Sequence, residues 1–348
     1  MLRSMYSAIS GMQAFQTMLD VIGNNIANVD TPGFKSSSVD FADVMSQITS
    51  GGSSPTTTTG GTNPQQVGLG VGIGATQMNF TQGSQETTGN PTDLFINGQG
   101  LFVVKNGTDT YYTRAGDFTL DSNDNLVLPD GSIAQGYYMT NAAPSGGGTP
   151  TSTLDTTTQP KAMNLNDMLA AYVTSLNGTS DGNGGTYTVN ADGTVTDTPA
   201  AGSSATPVTL SFALPASPDI QIGPDGSLTA TVEVTSTSGT GASATSTTST
   251  QQINLGSLAL ATFSNPSGLE NVGSNLFTVS NNSGAASYGV PGVNNAGSIQ
   301  AGYLEMSNVD LTQEMTNMIV AQNAFAANSH MIGTDNTILN DIVNMKNS

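Results

Sequence analysis

One histidine, His330, and no cysteine leave little from which to build a reaction centre. Ser–His–Asp catalysis would have to run through His330. That residue stands beside the seam of a helical stretch, where a solvated surface residue is the ordinary outcome. With no thiolate and one imidazole, a zinc site would need carboxylates almost alone. Gly70–Ala75, GVGIGA, fits the loose G-x-G-x-x-A dinucleotide pattern, but it follows the polar run NPQQ and no helix-forming segment or βαβ unit frames it. It reads as a bulged or closely packed glycine-rich strand. Asp121–Leu126, DSNDNL, imitates the start of a calcium loop, yet position six is Leu126 rather than Gly and position twelve is Ser132 rather than Glu. It reads as a turn, which leaves weak Ca²⁺ binding by the acidic surface as the one metal chemistry open. The Asn-x-Ser/Thr sequons at Asn79, Asn106, Asn177 and Asn281 are what an Asn- and Thr-rich chain produces by chance. No catalytic, metal or cofactor site is expected, and the chain reads as a non-enzyme.

Composition points the same way. Against 25 acidic residues stand 6 basic ones, a net charge of −19 over 348 residues. Phosphate binding needs clustered Lys and Arg, so nucleic acid is excluded as a partner, and anionic membranes with it. Without cysteine, packing alone must stabilise the chain. The start, MLRSMYSAISGMQ, lacks an unbroken apolar core and an A-x-A site, so no cleaved signal peptide is expected. No apolar run approaches transmembrane length.

Helical periodicity is confined to the two ends. Met5, Ile9, Met12, Gln16, Leu19, Gly23 and Ile26 alternate steps of four and three, a heptad seam over a helix of about 37 Å from Ser4 to Asn28. Asn24, Asn25 and Asn28 are poor helix formers, and Pro32 and Gly33 end the segment. At the other end Leu304, Leu311, Met318, Phe325, Ile332 and Leu339 recur every seven residues, with Met315 and Val343 in a second row. Asn308–Asp310 resembles an N-cap, and the helix would run about 54 Å to Met345. An antiparallel pairing of the two helices is expected. Seams lean in leucine and rich in Met, Asn, Gln and Ser bury too little to stand alone, so further copies of the chain are the economical cover.

Between the ends the period becomes two. Leu94–Ile96, Leu101–Val104, Tyr111–Thr113, Phe118–Leu120, Leu126–Leu128 and Ile133–Tyr138 read as strands, with Asn97-Gly98, Asn106-Gly107 and Asp130-Gly131 as hairpin turns. Strands return at Leu255–Phe263 and Leu276–Val279. Between the two sets lie strands at Thr186–Val189, Val208–Leu214 and Leu228–Val234, and a short helix carrying Leu165, Met168, Leu169 and Tyr172. The tracts Ser50–Asn63, Asn141–Pro160 and Thr235–Gln251 read as loops or linkers. The expected fold is α+β and mainly β. Residues 1–30 and 300–348 form a terminal helical assembly domain with coiled-coil-type pairing. A linker region, 31–70, follows. A β-rich domain comprises 71–145 and 253–299, and a second β-domain, 146–252, is inserted in it.

DVIGNNIANVDTPGFK resembles the N-terminal signature of bacterial flagellar rod and hook proteins, through Asn24, Asn25, Asn28, Thr31, Gly33, Phe34 and Lys35. TDLFINGQGLFVV, YYTRAGDFTLDSNDNLVLPDG and SNPSGLENVGSNLF are similar to further motifs of that family, and GYLEMSNVDLTQEMTNMIVAQNAFAANSHMI to its closing helix. The resemblance covers both ends and the outer β-domain. It implies a structural subunit of a helical tube, lined by the paired terminal helices, in the hook or the distal rod. It also implies largely unfolded export through the flagellar type III apparatus without signal cleavage, and partners in the distal rod, hook cap and hook–filament junction. Met- and Asn-rich seams would suit helices that slide, with Met5, Ile9, Met12, Leu19, Ile26, Leu304, Leu311, Met315, Met318, Phe325, Ile332 and Leu339 as the assembly residues. A monomeric secreted adhesive β-protein and a secreted hydrolase are the other classes; the first has no need of heptads at both ends, and the second needs a carboxylate cleft the residues do not supply.

Overall fold

The computed structural model describes residues 2–142, 151–154, 159–177, 185–199, 207–215, 218–238, 245–293 and 295–347. The fold is α+β and mainly β, the first and last helices flanking a β-rich body along the chain. Helix α1 spans Leu2–Ala27. It ends where the asparagines begin to bond the backbone: the Asn28 N–H is shared between the Asn24 and Asn25 carbonyls, and the Thr31 N–H closes on the Asn28 carbonyl. Pro32 then blocks continuation. Helix α2, Leu165–Ser175, starts at Asn164, whose side-chain oxygen accepts the N–H groups of Asn166 and Asp167. Its apolar side, Leu165, Met168, Leu169 and Val173, is buried. Helix α3, Leu311–Asn347, is capped by the Asp310 carboxylate, which accepts from Thr312 N at 2.9 Å and Gln313 N at 3.2 Å.

Contacts divide the chain into two units, one of Met1–Thr31, Lys35–Thr81 and Ser307–Ser348, the other of Pro32–Phe34 and Gln82–Met306. The first holds α1, α3 and four strands: β1 Ser37–Asp43, β2 Ser46–Ser50, β3 Gln65–Gly68 and β4 Val71–Met78. β1 pairs antiparallel with β4 and β2 with β3, and a bridge between Ser53 and Thr62 continues the ladder outward. Residues 31–70 are therefore not a bare linker. Thr, Ser, Gln and β-branched residues line a two-stranded arm whose register comes from backbone pairing, a signal that composition does not carry. GVGIGA is the start of β4, bulged at Gly74 so that Asp40 faces Ala75 and Phe41 faces Ile73. Gly70, at φ +124°, sits so close to Ser10 and Ser7 of α1 that a side chain has no room.

In the second unit Leu101–Asn106 and Asp109–Thr113 form a hairpin through Asn106-Gly107, with Gly107 at φ +63°. Val127 faces Ile133 across the turn at Asp130-Gly131. Late strands join the early ones: Leu260–Thr262 pairs with residues 101–102, and Leu276–Thr278 with 112–113. Asn97-Gly98 closes no hairpin. The strand before it, Leu94–Asn97, pairs with Ser298–Ala301 instead, and Gly98 is pressed against Gly297. Nor is Thr235–Gln251 a linker: its described residues belong to Ser227–Ser238 and Thr245–Leu258, paired along their whole length. Alternating Thr favours that pleated surface even without apolar residues. Much of the 141–160 tract lies outside the described residues.

One buried cluster runs from Leu94, Phe102 and Phe118 through Met163, Met168 and Leu258 to Val195, Leu228 and Val232. The described residues of 146–252 thus share their core with the strands on either side. Leu228→Ala, at a fully buried position, is expected to cost about 2–5 kcal/mol. Urea unfolding followed by fluorescence should then show a single shifted transition. Two transitions, of which one moves, would mean separate cores.

Candidate assembly surface of the terminal helices

The two long helices pair antiparallel through side chains that are small or polar. Ser4 Oγ donates to Asp335 Oδ2 at 2.6 Å, and Asn25 Nδ2 donates to Glu314 Oε1 at 3.1 Å. Between these rungs Gly11 lies against Asn328, where a Cβ would come within 2.7 Å of the side-chain nitrogen. Positions 4, 11 and 25 thus meet 335, 328 and 314, a heptad register that also sets Met18 opposite the fully buried Ala321. Buried on α1 are Ala8, Gly11, Ala14, Ile22 and Asn25. The seam is therefore displaced by one residue from the apolar row expected of the spacing. Asn25 and Glu314 are matched donor and acceptor, so a slip by one heptad breaks the rungs. Within the chain the polar seam favours this one register.

The expected assembly residues stand beside that seam. On α1, Met5, Met12, Leu19 and Ile26 are half-buried and Ile9 is exposed; on α3, Met318, Ile332 and Leu339 are half-buried, while Leu311, Met315 and Phe325 are 43%, 45% and 37% exposed. In an antiparallel pair, the rows one position beyond the seam on each helix fall on the same side. Together they make a two-helix apolar flank. The arm also packs on α1: Val71 N donates to Ser10 Oγ at 3.3 Å, and the Phe41 ring meets edge-on, at 5.5 Å, that of Phe15, one turn from Met12 and Leu19. Leu304 belongs to neither helix. It lies in the strand Tyr303–Glu305, paired with Gln85–Thr87, because Gly302 and the polar run before Asp310 delay the helix to Leu311. His330 is exposed on α3.

The asparagines beyond the helix are structural. Fully buried Asn25 exchanges two hydrogen bonds with the Ser37 backbone, Nδ2 to O at 2.8 Å and N to Oδ1 at 3.0 Å, while it also holds Glu314. Exposed Asn24 serves as acceptor for the Asn28 side chain, and Thr31 Oγ1 donates to Asn28 Oδ1. Lys35 Nζ donates to the Thr81 carbonyl at 2.8 Å; Asn308 accepts from Ser36 N and donates to the Asn79 carbonyl.

Within the second unit the remaining signature residues converge on a buried ion pair that spacing did not reveal. Arg114 Nη1 and Glu305 Oε2 are 3.0 Å apart, both buried. Arg114 Nη2 donates to the Gly98 carbonyl at 2.7 Å, and Glu305 Oε1 accepts from Gly83 N at 2.9 Å. Gly33 N donates to the Glu305 carbonyl at 2.7 Å, while Asn275 Nδ2 donates to the Pro32 carbonyl at 3.0 Å. Gly33, at φ +71°, leaves no space for a Cβ, which would sit 2.4 Å from Ala115 N. Phe34 is buried beside it in the chain. The one sequence hint was an arginine among so few bases, in a run of β residues; its partner is 191 positions away. DSNDNL closes on itself: Asp121 takes the Asn125 side-chain amide and the backbone N–H groups of Asn125 and Asn123, which hold its carboxyl below the usual range.

Comparison with known proteins aligns with these segments. Residues 5–35 match the family model described as flagella basal body rod protein, residues 95–197 that of the flagellar hook protein FlgE/F/G D1 domain, and residues 300–345 that of the flagellar basal body rod FlgEFG protein C-terminal region. The flagellar basal-body rod protein FlgG of Bacillus subtilis (strain 168) is 37% identical over 347 residues, covering 99% of this chain and 100% of that protein. The flagellar hook protein FlgE of Treponema pallidum (strain Nichols) is 32% identical over 462 residues, covering 99% and 100%. FlgE of Escherichia coli (strain K12) is 32% identical over 418 residues, covering 97% and 99%.

Breaking the ion pair is a direct test of the convergence. Glu305→Leu leaves a buried arginine uncompensated and is expected to cost about 3–5 kcal/mol, whereas Arg114→Met with Glu305→Leu should recover most of that loss. Urea titration of the three proteins reads it. A single variant within about 1 kcal/mol of the parent would mean water or rearrangement serves Arg114 as well.

Proposed function

The chain belongs to the flagellar rod and hook protein family, and from that premise we propose that it is the structural subunit of the flagellar hook. Copies assemble into a curved helical tube that passes motor torque to the filament. One observation carries this reading: α1 and α3 spend their small and polar residues on each other and leave large apolar residues facing away. Tyr6, Leu311, Ile319, Phe325 and Met331 are all exposed, an arrangement unsuited to a solitary soluble chain and suited to one covered by its copies. In this reading the coiled-coil-type helix pair is the assembling part. The β-rich body carries residues 146–252 as an insertion on the outer side of the tube. Distal rod, hook cap and hook–filament junction proteins meet the ends of the polymer, and subunits arrive outside the cell through the type III export apparatus without a cleaved signal peptide.

A distal rod protein is the second reading. It is favoured by the length of the match to FlgG, 347 residues, against 462 and 418 for the two hook proteins. Electron microscopy over a concentration and salt series separates them. The full chain is expected to give curved tubes, and a shortened chain of residues 32–306 to stay monomeric. Straight short tubes would favour the rod, and monomers in both samples would return the adhesive β-protein. Phe325→Asp should abolish tubes while the β-rich body melts as before; normal tubes from that variant would remove the flank from the assembly surface.

A further inference from the structure

Among the described residues the last rung between α1 and α3 is Ser4–Asp335, but the seam of α3 runs on. Ile338, Ile342 and Met345 continue its heptad positions, and they are 47%, 42% and 72% exposed. Upstream, the same positions hold Glu314, Asn317, Ala321, Ala324, Asn328, Met331 and Asp335, small or polar except for Met331. The most apolar part of the seam is thus the part that no described residue of α1 faces.

We infer that this overhang of α3 docks on the apolar flank of a second copy, the side formed by Met12 and Leu19 of α1 with Met318 and Phe325 of α3. The inference rests on the polymer reading and adds which surface meets which. Two features make the occupant another copy of this chain. The overhang prolongs an interface already formed between helices of this sequence, so a helix-pair surface of the same dimensions fits it. And a chain of net charge −19 can approach its like closely only where both faces lack carboxylates. The overhang and flank residues are uncharged. Of the charged residues on α3 whose side chains are described, Glu314 and Asp335 are held in the seam, and Asp341 borders the overhang. Because the two surfaces are different, each subunit offers one and receives the other. Such a heterologous contact adds copies head to tail and grows an open polymer rather than closing as a dimer.

The absence of cysteine from the full chain makes a crosslinking test clean. Polymers of the double variant Phe325→Cys/Ile342→Cys, treated with a short bis-maleimide and run on a denaturing gel, should give a ladder of covalent multimers. Polymers of either single variant should run as monomers. Phe325→Cys/Met345→Cys provides a second version one turn along the helix. Tubes that form normally but give no ladder from either double variant would overturn the contact and leave the polymer reading standing. Covalent dimers from a single variant would also overturn it, since they require like surfaces to meet. Failure of the unsubstituted chain to form any polymer would overturn both.

Discussion

Asn25 bonds three ways at once, to the Ser37 N–H, to the Ser37 carbonyl and to Glu314. Its amide therefore ties the end of α1 to the first turn of α3 and to the strand that leads into the arm. A buried amide with every bond made is stable, but one left unmatched costs on the order of 1–3 kcal/mol. That asymmetry is what gives the helix pair a single register. Glu314 cannot exchange places with Ala321 without stranding Asn25, and Asp335 cannot leave Ser4 without losing its own donor. An apolar seam would hold the helices more tightly and would tolerate a slip of seven residues. The observed seam gives up strength for position, and apart from Met18 and Ile22 it keeps the large apolar side chains out of the intramolecular contact.

The second unit uses the same logic with charge. Arg114 and Glu305 lie 191 positions apart, and around them are gathered Pro32–Phe34, Gly83, Gly98, Ala115 and Asn275. A buried ion pair adds little net stability over well-packed apolar residues, but half of one is costly. The body is complete only when the segment before Ser36 and the segment before Ser307 are both in place. This explains why the signature residues at the two ends have such different chemistry from the helices beside them. Gly33 is required by its positive φ and by the nearness of the Ala115 backbone, not by flexibility.

Much of this was legible in the sequence. The two terminal helices, the short helix at Leu165 and most strands follow from periodicity, and turn chemistry located the hairpin at Asn106-Gly107. Asn97-Gly98 has the same chemistry and makes no hairpin, because the pairing of Leu94–Asn97 with Ser298–Ala301 outweighs a local preference. The Thr- and Ser-rich tracts read as linkers since composition reports what can be buried; it does not report what can pair by backbone alone. The heptad row was found, but one residue off the seam, at Met12 and Phe325 instead of Gly11 and Ala324. Periodicity marks where apolar residues line up and assumes they face inward. In a chain whose own seam is polar, the lined-up apolar residues face elsewhere.

That displacement has a physical origin in the charge of the molecule. Each copy carries a strong negative excess, so any close contact between copies must avoid the carboxylates, which are held apart by repulsion at every exposed face that carries them. On α3 two of the acids, Glu314 and Asp335, are drawn toward α1 and accept hydrogen bonds from Asn25 and Ser4. Their place in the seam does two things with one arrangement. It fixes the register from within, and it clears the outward surface of the helix of charge along most of its length. A seam of leucines would have left those acids, or others like them, on the outside. The polar interior and the apolar exterior of the helix pair are therefore one feature: the acids of α3 that lie in the seam are not on its apolar flank.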